Sequence, residues 1–265
     1  MQEHSDAPIG VFDSGVGGLT VLSAIHQRLP NESLIYVADS GFAPYGDKPA
    51  QDIIKRAKSI TDFLLSQGAK AIVMACNTAT VVAASTLRQY CPVPIVALEP
   101  AIKPATQLTT SKVIGVLATR RTLESPSVAT LCERFGNGLD IRLQPCPGLV
   151  EQVEQGAMDS AETQALLKGY LTPLIDAGAD TLVLGCTHYP LLRKQIAAIV
   201  GPHVQILDSA LAVSKELQRR LTEKGSLSST TDASVRFFTS GHPDLLQPLL
   251  CQLWGKAVSL ALLPD

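Results

Sequence analysis

The feature that most constrains this chain is that one pattern occurs in it twice. The segment AKAIVMACNT (69–78) matches ADTLVLGCTH (179–188), which puts Cys76 and Cys186 at equivalent places 110 residues apart. Upstream, IGVFDS (9–14) matches IGVLAT (114–119) at a spacing of 105; downstream, IVALEPA (95–101) resembles ILDSA (206–210), with Glu99 over Asp208. Any two strand–helix units of a parallel sheet share composition, so a single match carries little weight. Three matches in the same order, at near-equal spacing, point to a duplicated domain.

Apolar runs at 9–12, 34–38, 71–75, 95–98, 113–118, 181–185 and 204–207 alternate with helix-like stretches. In the stretch 52–67, Ile53, Ile54, Ala57, Ile60, Phe63, Leu64 and Leu65 share one broad face. Continuous apolar runs are what parallel strands covered on both sides require. The expected fold class is therefore α/β: two pseudo-symmetric domains, each a mainly parallel sheet flanked by helices. Ligands of open sheets sit beyond the carboxyl ends of the strands, so the active site is expected in the cleft between the domains. The first domain is expected over 1–99 plus 209–265 and the second over 100–208. Two prolines in EPAIKP (99–104) mark the crossing, and the return falls near Asp208. After a helix at 209–221 and a polar loop at 226–234, the run 235–240 is expected to rejoin the first half as a strand.

Composition removes several function classes. Hydrophobic residues make up 46%, charged residues 17%, and the formal net charge is −2. This suits a packed core and gives no basic surplus for gripping nucleic acid, so no such partner is expected. Residues 1–8 lack the layout of a secretory leader and no apolar run reaches about 18 residues, so no membrane association is expected and the location read is cytoplasmic. The six cysteines have no CxxC spacing, and free thiols are expected.

Cys76 and Cys186 each close a buried strand and are expected to open a helix, at 79–89 and 190–200. Near the positive end of a helix a thiol loses its proton more readily. The free amides there, with Asn77, Thr78 and Thr187, form a receptor for a carboxylate. Cys91, Cys132, Cys146 and Cys251 sit in helix-like or irregular stretches without repeated partners and read as ordinary buried cysteines. The first strand ends in Asp13-Ser14 and a glycine-rich turn, DSGVGG, which is not a dinucleotide fingerprint and lacks a phosphate-loop lysine. Asp13 has no duplicate in the second half, where the matching pair is Ala118-Thr119; that half offers His188 instead, two residues after Cys186. Asp13 is thus expected to serve one cysteine and His188 the other.

The strings VFDSGVGG (11–18), PYG (44–46), ACNTAT (75–80), CPGLV (146–150) and GCTHYPLL (185–192) together resemble the glutamate racemase family over about 9–208. The resemblance implies that Cys76 and Cys186 are the acid/base pair, assisted by Asp13, His188 and a glutamate after the CPGLV string. Glu151 and Glu154 both qualify, and the spacing to Gly156 favours Glu154. It further implies substrate contacts at Asp13, Ser14, Tyr45, Gly46, Asn77, Thr78, Thr119, Thr187 and His188. It implies glutamate as substrate and no cofactor, and no metal is expected. The oligomeric state stays open, a homodimer being one candidate.

Racemisation removes a proton from one face of a tetrahedral carbon and returns one to the other, so two bases, one ionised and one protonated, are the direct solution. Three rivals share the residues. An aspartate racemase would differ in the pocket after the second strand. A cysteine hydrolase would use Cys186, His188 and an acid, and would leave Cys76 idle. A zinc-binding module would use both cysteines and His188, although their spacing is not that of paired ligands.

Overall fold

The computed structural model describes residues 5–264, so the first four positions of the polar start considered above lie outside the described residues. The first half runs β1 (Ile9–Asp13), α1 (Leu19–Arg28), β2 (Leu34–Ala38), α2 (Ala50–Ser66), β3 (Ala71–Met74), α3 (Asn77–Tyr90) and β4 (Ile95–Ala97). Next come α4 (Ile102–Leu108), β5 (Val113–Ala118), α5 (Arg120–Leu123), α6 (Pro126–Phe135) and β6 (Asp140–Pro145). They are followed by α7 (Leu149–Glu154), α8 (Ala161–Asp176), β7 (Thr181–Leu184), α9 (Arg193–Val200) and β8 (Gln205–Leu207). The tail is α10 (Ala210–Glu223), β9 (Val235–Thr239), α11 (Pro243–Trp254) and β10 (Leu260–Leu262). Among the described residues, no helix is long and apolar enough to cross a membrane.

The chain forms two compact units: residues up to Leu98 together with those from Ala210 onward, and Glu99–Ser209. The first unit holds a sheet of order β10-β9-β2-β1-β3-β4, the second a sheet of order β6-β5-β7-β8. Every pairing in both is parallel. Strands β1, β2, β3 and β7 are buried along their whole length, as helices on both faces demand.

The repeat extends to the register of the strands. The order β2-β1-β3-β4 recurs as β6-β5-β7-β8, and Ile9 faces Ala71 as Ile114 faces Thr181. The helices that precede β3 and β7 also end alike. Gly68 and Gly178 take φ of 79° and 86°, a left-handed conformation that only a residue without Cβ adopts cheaply. Ala69 N–H then donates to Leu64 O at 3.1 Å, and Ala179 N–H to Leu174 O at 3.0 Å.

Three expectations need correction. Strands β6 and β10 were not anticipated; both are partly exposed edge strands, DIRLQP and LAL, without a continuous apolar run. Of the two prolines taken to mark the crossing, Pro104 lies beyond it, in the first turn of α4, where its missing N–H has no intrahelical partner to lose. Cys186 is followed not by an α-helix at 190 but by a 3₁₀ turn, Tyr189–Leu192, with α9 starting only at Arg193. The helix-end argument for acidity therefore does not reach Cys186 in the form expected.

Position 70 of the first unit corresponds to position 180 of the second, and both tie down the chain that enters the central strand. Lys70 Nζ donates to the carbonyls of Ser5 and Ser226 and pairs with buried Glu32. Asp180 does the converse, accepting from the hydroxyls of Thr109 and Thr110 and from the N–H groups of Thr110 and Ser111. Partial burial alone would raise the Asp180 pKa, but these donors hold it below the usual carboxylate range. A depressed carboxylate stabilises the fold above its unfolded pKa, and the contribution fades as pH falls through the folded value. Asp180→Asn is expected to cost about 1 kcal/mol near pH 7, on the scale of a lost cap. Urea titrations of the two proteins should converge in strong acid; a pH-independent gap would contradict this account.

Candidate active site

In the first unit, β1 delivers Asp13 and β3 leads to Cys76, both strands ending on the same edge of the sheet. Asp13 is fully buried. Its Oδ2 accepts the N–H of Gly18 at 2.6 Å, which folds the glycine-rich turn back over the carboxylate. A Cβ on Gly18 would lie 2.6 Å from Asp13 Cβ and 2.8 Å from the Tyr36 hydroxyl, so the turn needs glycine here for room. Tyr36 OH donates to Gly15 O at 2.6 Å and pins the other side of the turn.

Cys76 is the N-cap of α3, and its sulfur accepts the Ala79 N–H at 3.4 Å. That donor, at the positive end of a 14-residue helix, stabilises negative charge on sulfur. Cys76 Sγ also contacts Ser14 Oγ at 3.6 Å, and Ser14 Oγ donates to Asp13 Oδ1 at 3.4 Å. Asp13 therefore reaches Cys76 through the Ser14 hydroxyl, a proton route the sequence reading did not contain. Asn77 and Thr78 follow on α3, both about 4% exposed. Asn77 Nδ2 is buried and has no partner among the described residues, an arrangement that is costly unless a ligand supplies an acceptor.

Tyr45 and Gly46 lie in a short 3₁₀ turn, Tyr45–Asp47, after β2. The Tyr45 ring is buried, and its hydroxyl donates to Asp39. Burial first, then the charge of Asp39, keeps this phenol neutral far above its usual range.

In the second unit, β7 leads to Cys186, Thr187 and His188, all three buried. Cys186 Sγ lies 3.8 Å from His188 Nδ1, and His188 Nε2 lies 2.6 Å from Glu154 Oε1. Burial alone would lower the His188 pKa, yet the hydrogen bonds to Cys186 and Glu154, with their charges, hold it well above the usual histidine value. Of the two candidate glutamates it is Glu154, the last residue of α7, that contacts His188; Glu151 lies in the first turn of that helix. Thr119, where Ser14 stands in the first unit, caps α5 by accepting the N–H of Thr122 at 3.3 Å.

All six cysteines are free. Cys146 lies, as expected, outside helix and strand, directly after β6, and is buried. Burial, and then the proximity of Cys186, push its thiol up. Tyr189, fully buried, donates to Cys146 O at 3.2 Å and so ties the loop that opens α7 to the Cys186 loop. Among the described residues, no group of three His, Cys, Asp or Glu side chains is arranged to hold a metal ion. Sequence reasoning missed Tyr36, Asp39, Arg56 and Tyr189 as supports of the site. Only Asp39 carried a signal: like Asp13, it stands at the end of a buried strand.

The sequence profile described as Asp/Glu/Hydantoin racemase matches residues 9–217. A glutamate racemase of Ectopseudomonas mendocina is 51% identical over 254 residues, covering 96% of this chain and 97% of the relative. The crystal structure of glutamate racemase isoform RacE1 from Bacillus anthracis superposes with a TM-score of 0.90 at 34% identity, covering 98% of each chain. That of the Francisella tularensis glutamate racemase, in complex with D-glutamate, superposes with a TM-score of 0.86 at 30% identity, again covering 98% of each chain.

Proposed function

Because the chain belongs to the Asp/Glu/Hydantoin racemase family, we propose that it interconverts L- and D-glutamate without a cofactor, moving protons with Cys76 and Cys186. Glutamate, rather than aspartate, is the substrate that relatives about 50% identical over nearly the whole chain are named for. One observation carries the mechanism. Each unit places a buried cysteine after the equivalent strand and connects it to its own proton-handling pair, Ser14–Asp13 for Cys76 and His188–Glu154 for Cys186.

The reaction needs one sulfur ionised and the other protonated when substrate binds. The thiolate takes the Cα proton; the thiol delivers its own proton to the opposite face; the roles then reverse for the next turnover in the other direction. The Ala79 N–H favours negative charge on the Cys76 sulfur, and the His188 ring, backed by Glu154, faces the Cys186 sulfur as its proton partner. Carbanionic charge develops on the α-carboxylate, and preorganised donors meet it better than water does. The orphan Asn77 amide, with Thr78 and Thr187, suits that task. Ser14, Asp13, Thr119 and His188 complete the contacts, and the Tyr45-Gly46 turn takes the side-chain carboxylate. The product would supply D-glutamate for peptidoglycan in the cytoplasm, and a homodimer is the assembly for sedimentation to test.

Incubating L-glutamate with the purified protein in deuterium oxide, with nothing else added, tests the reading. The expected product is D-glutamate with one deuterium at Cα. Loss of optical rotation without label uptake would exclude solvent-exchanged thiols, and turnover of aspartate but not glutamate would exclude the substrate.

A further inference from the structure

We infer that Asp39 is a positioning residue for the substrate's side-chain carboxylate, acting through Tyr45 and held by Arg56; this rests on the proposed glutamate racemisation. Asp39 follows β2 directly, and its N–H donates to Asp13 O at 2.9 Å, which fixes the ends of β1 and β2 side by side. Its side chain is fully buried, and a carboxylate so placed survives only when paired and hydrogen-bonded. Arg56, reaching across from α2, supplies the pairing with two bonds, Nη2 to Oδ1 at 2.6 Å and Nε to Oδ2 at 3.0 Å. This side-on fork fixes the plane of the carboxylate. The Tyr45 hydroxyl donates to the same Oδ2 that Nε uses.

The Tyr45 ring anchors the turn in the core of the unit, and the bond to Asp39 fixes its hydroxyl end. Between β2 and α2 the backbone makes short-range turn bonds, Phe42 N–H to Asp39 O, Ala43 N–H to Ser40 O and Lys48 N–H to Tyr45 O, and Gly41 N–H reaches Ser240 Oγ. Phe42 packs against the outer face of the Arg56 guanidinium, 4.0 Å from ring centre to Cζ, so the arginine braces the segment before Tyr45 as well. The buried carboxylate is thus the point from which strand end, helix α2 and turn are all located. Because the pair is internally neutral, Arg56 is not left over to bind the substrate's charge. Amides of the Tyr45-Gly46 turn take that role, and their aim depends on Asp39.

A residue that aims a remote binding group affects ground-state capture more than proton transfer, so KM and kcat should separate. Asp39→Asn keeps the shape but loses the charge; Tyr45→Phe removes only the hydroxyl. For Asp39→Asn the KM for both glutamate enantiomers is expected to rise roughly tenfold or more, the scale of a lost charge-assisted bond, with kcat within about threefold. Tyr45→Phe should move KM the same way by less, and the double variant should match Asp39→Asn alone, because one change acts through the other. An unchanged KM in folded Asp39→Asn, or additive effects in the double variant, overturns the inference. If Asp39→Asn does not fold, Tyr45→Phe decides, and an unchanged KM in it is fatal. Inactivity of the unmodified protein on glutamate overturns the parent reading as well, which is a separate and recognisable result.

Discussion

Replacement of either Cys76 or Cys186 by alanine is expected to abolish racemisation, by about 10³-fold or more, the scale of a lost general acid or base. Yet each variant should still wash the Cα hydrogen of one enantiomer into solvent. The reason lies in the division of labour. The cysteine that remains can, as thiolate, take a proton from its own face and, after its S–H exchanges with solvent, return a solvent-derived one to that same face, which exchanges the hydrogen without inverting the carbon. The two variants should therefore be mirror images: one exchanges only D-glutamate, the other only L-glutamate. Proton NMR of each enantiomer in deuterium oxide, with either variant, reads this directly. The result separates the racemase from the hydrolase that the same residues could suggest, since a hydrolase built on Cys186 and His188 gives Cys76 nothing to do. Full activity in Cys76→Ala would sink the two-sulfur mechanism outright. Because both sulfurs are buried and neither forms a disulfide, removing one costs little packing volume, and the fold should survive to be assayed.

Much of this architecture could be read from the chain because buried parallel strands leave a plain mark. IGVFD, LIYVA, AIVM and TLVL have almost no polar alternation, and each is covered on both faces. The unread strands were those to which the rule does not apply. The β6 residues Asp140, Arg142 and Gln144 belong to an edge that meets solvent, and the three residues of β10 are too few to show a period. The same contrast holds at the site. Asp13, Cys76, Cys186 and His188 were legible because the repeat or a strand end marks them. Arg56, Tyr36 and Tyr189 were not, because their importance lies in contacts made with other segments of the chain, and Asp39 was marked only by its place after a buried strand. Arg56 lies on the polar side of an amphipathic helix, where an arginine ordinarily needs no explanation. Its partner is a buried carboxylate, which only the folded chain reveals. The Ser14 bridge between Asp13 and Cys76 was hidden for a related reason: sequence spacing says that residues share a strand end but not which of them touch.

Glu154→Gln should produce the second large effect, and it should fall on one half-reaction. The carboxylate accepts from His188 Nε2 at 2.6 Å while Nδ1 faces the Cys186 sulfur, so Glu154 sets both the orientation of the ring and its readiness to carry a proton. The neutral amide keeps a hydrogen-bonding group at the site but removes the negative charge. The His188 pKa, now held well above the usual value against the pull of burial, must then move down, since the desolvation that opposes protonation is unchanged while one of the interactions that favours it is lost. At neutral pH the imidazolium becomes less populated and the Cys186 thiolate loses part of its counter-charge. Racemisation is expected to fall by roughly 10²-fold, and the limb of the kcat/KM profile that reports His188 should move to lower pH. Exchange at Cα through Cys76, whose own relay is Ser14 and Asp13, should continue in the remaining enantiomer. A uniform loss of exchange in both enantiomers, with the pH limb unmoved, would show instead that Glu154 supports the fold of α7 and has no part in the chemistry. Asp13→Asn is the natural counterpart: by the same logic it should suppress the exchange that Glu154→Gln spares, so that the two substitutions together assign each relay to its sulfur.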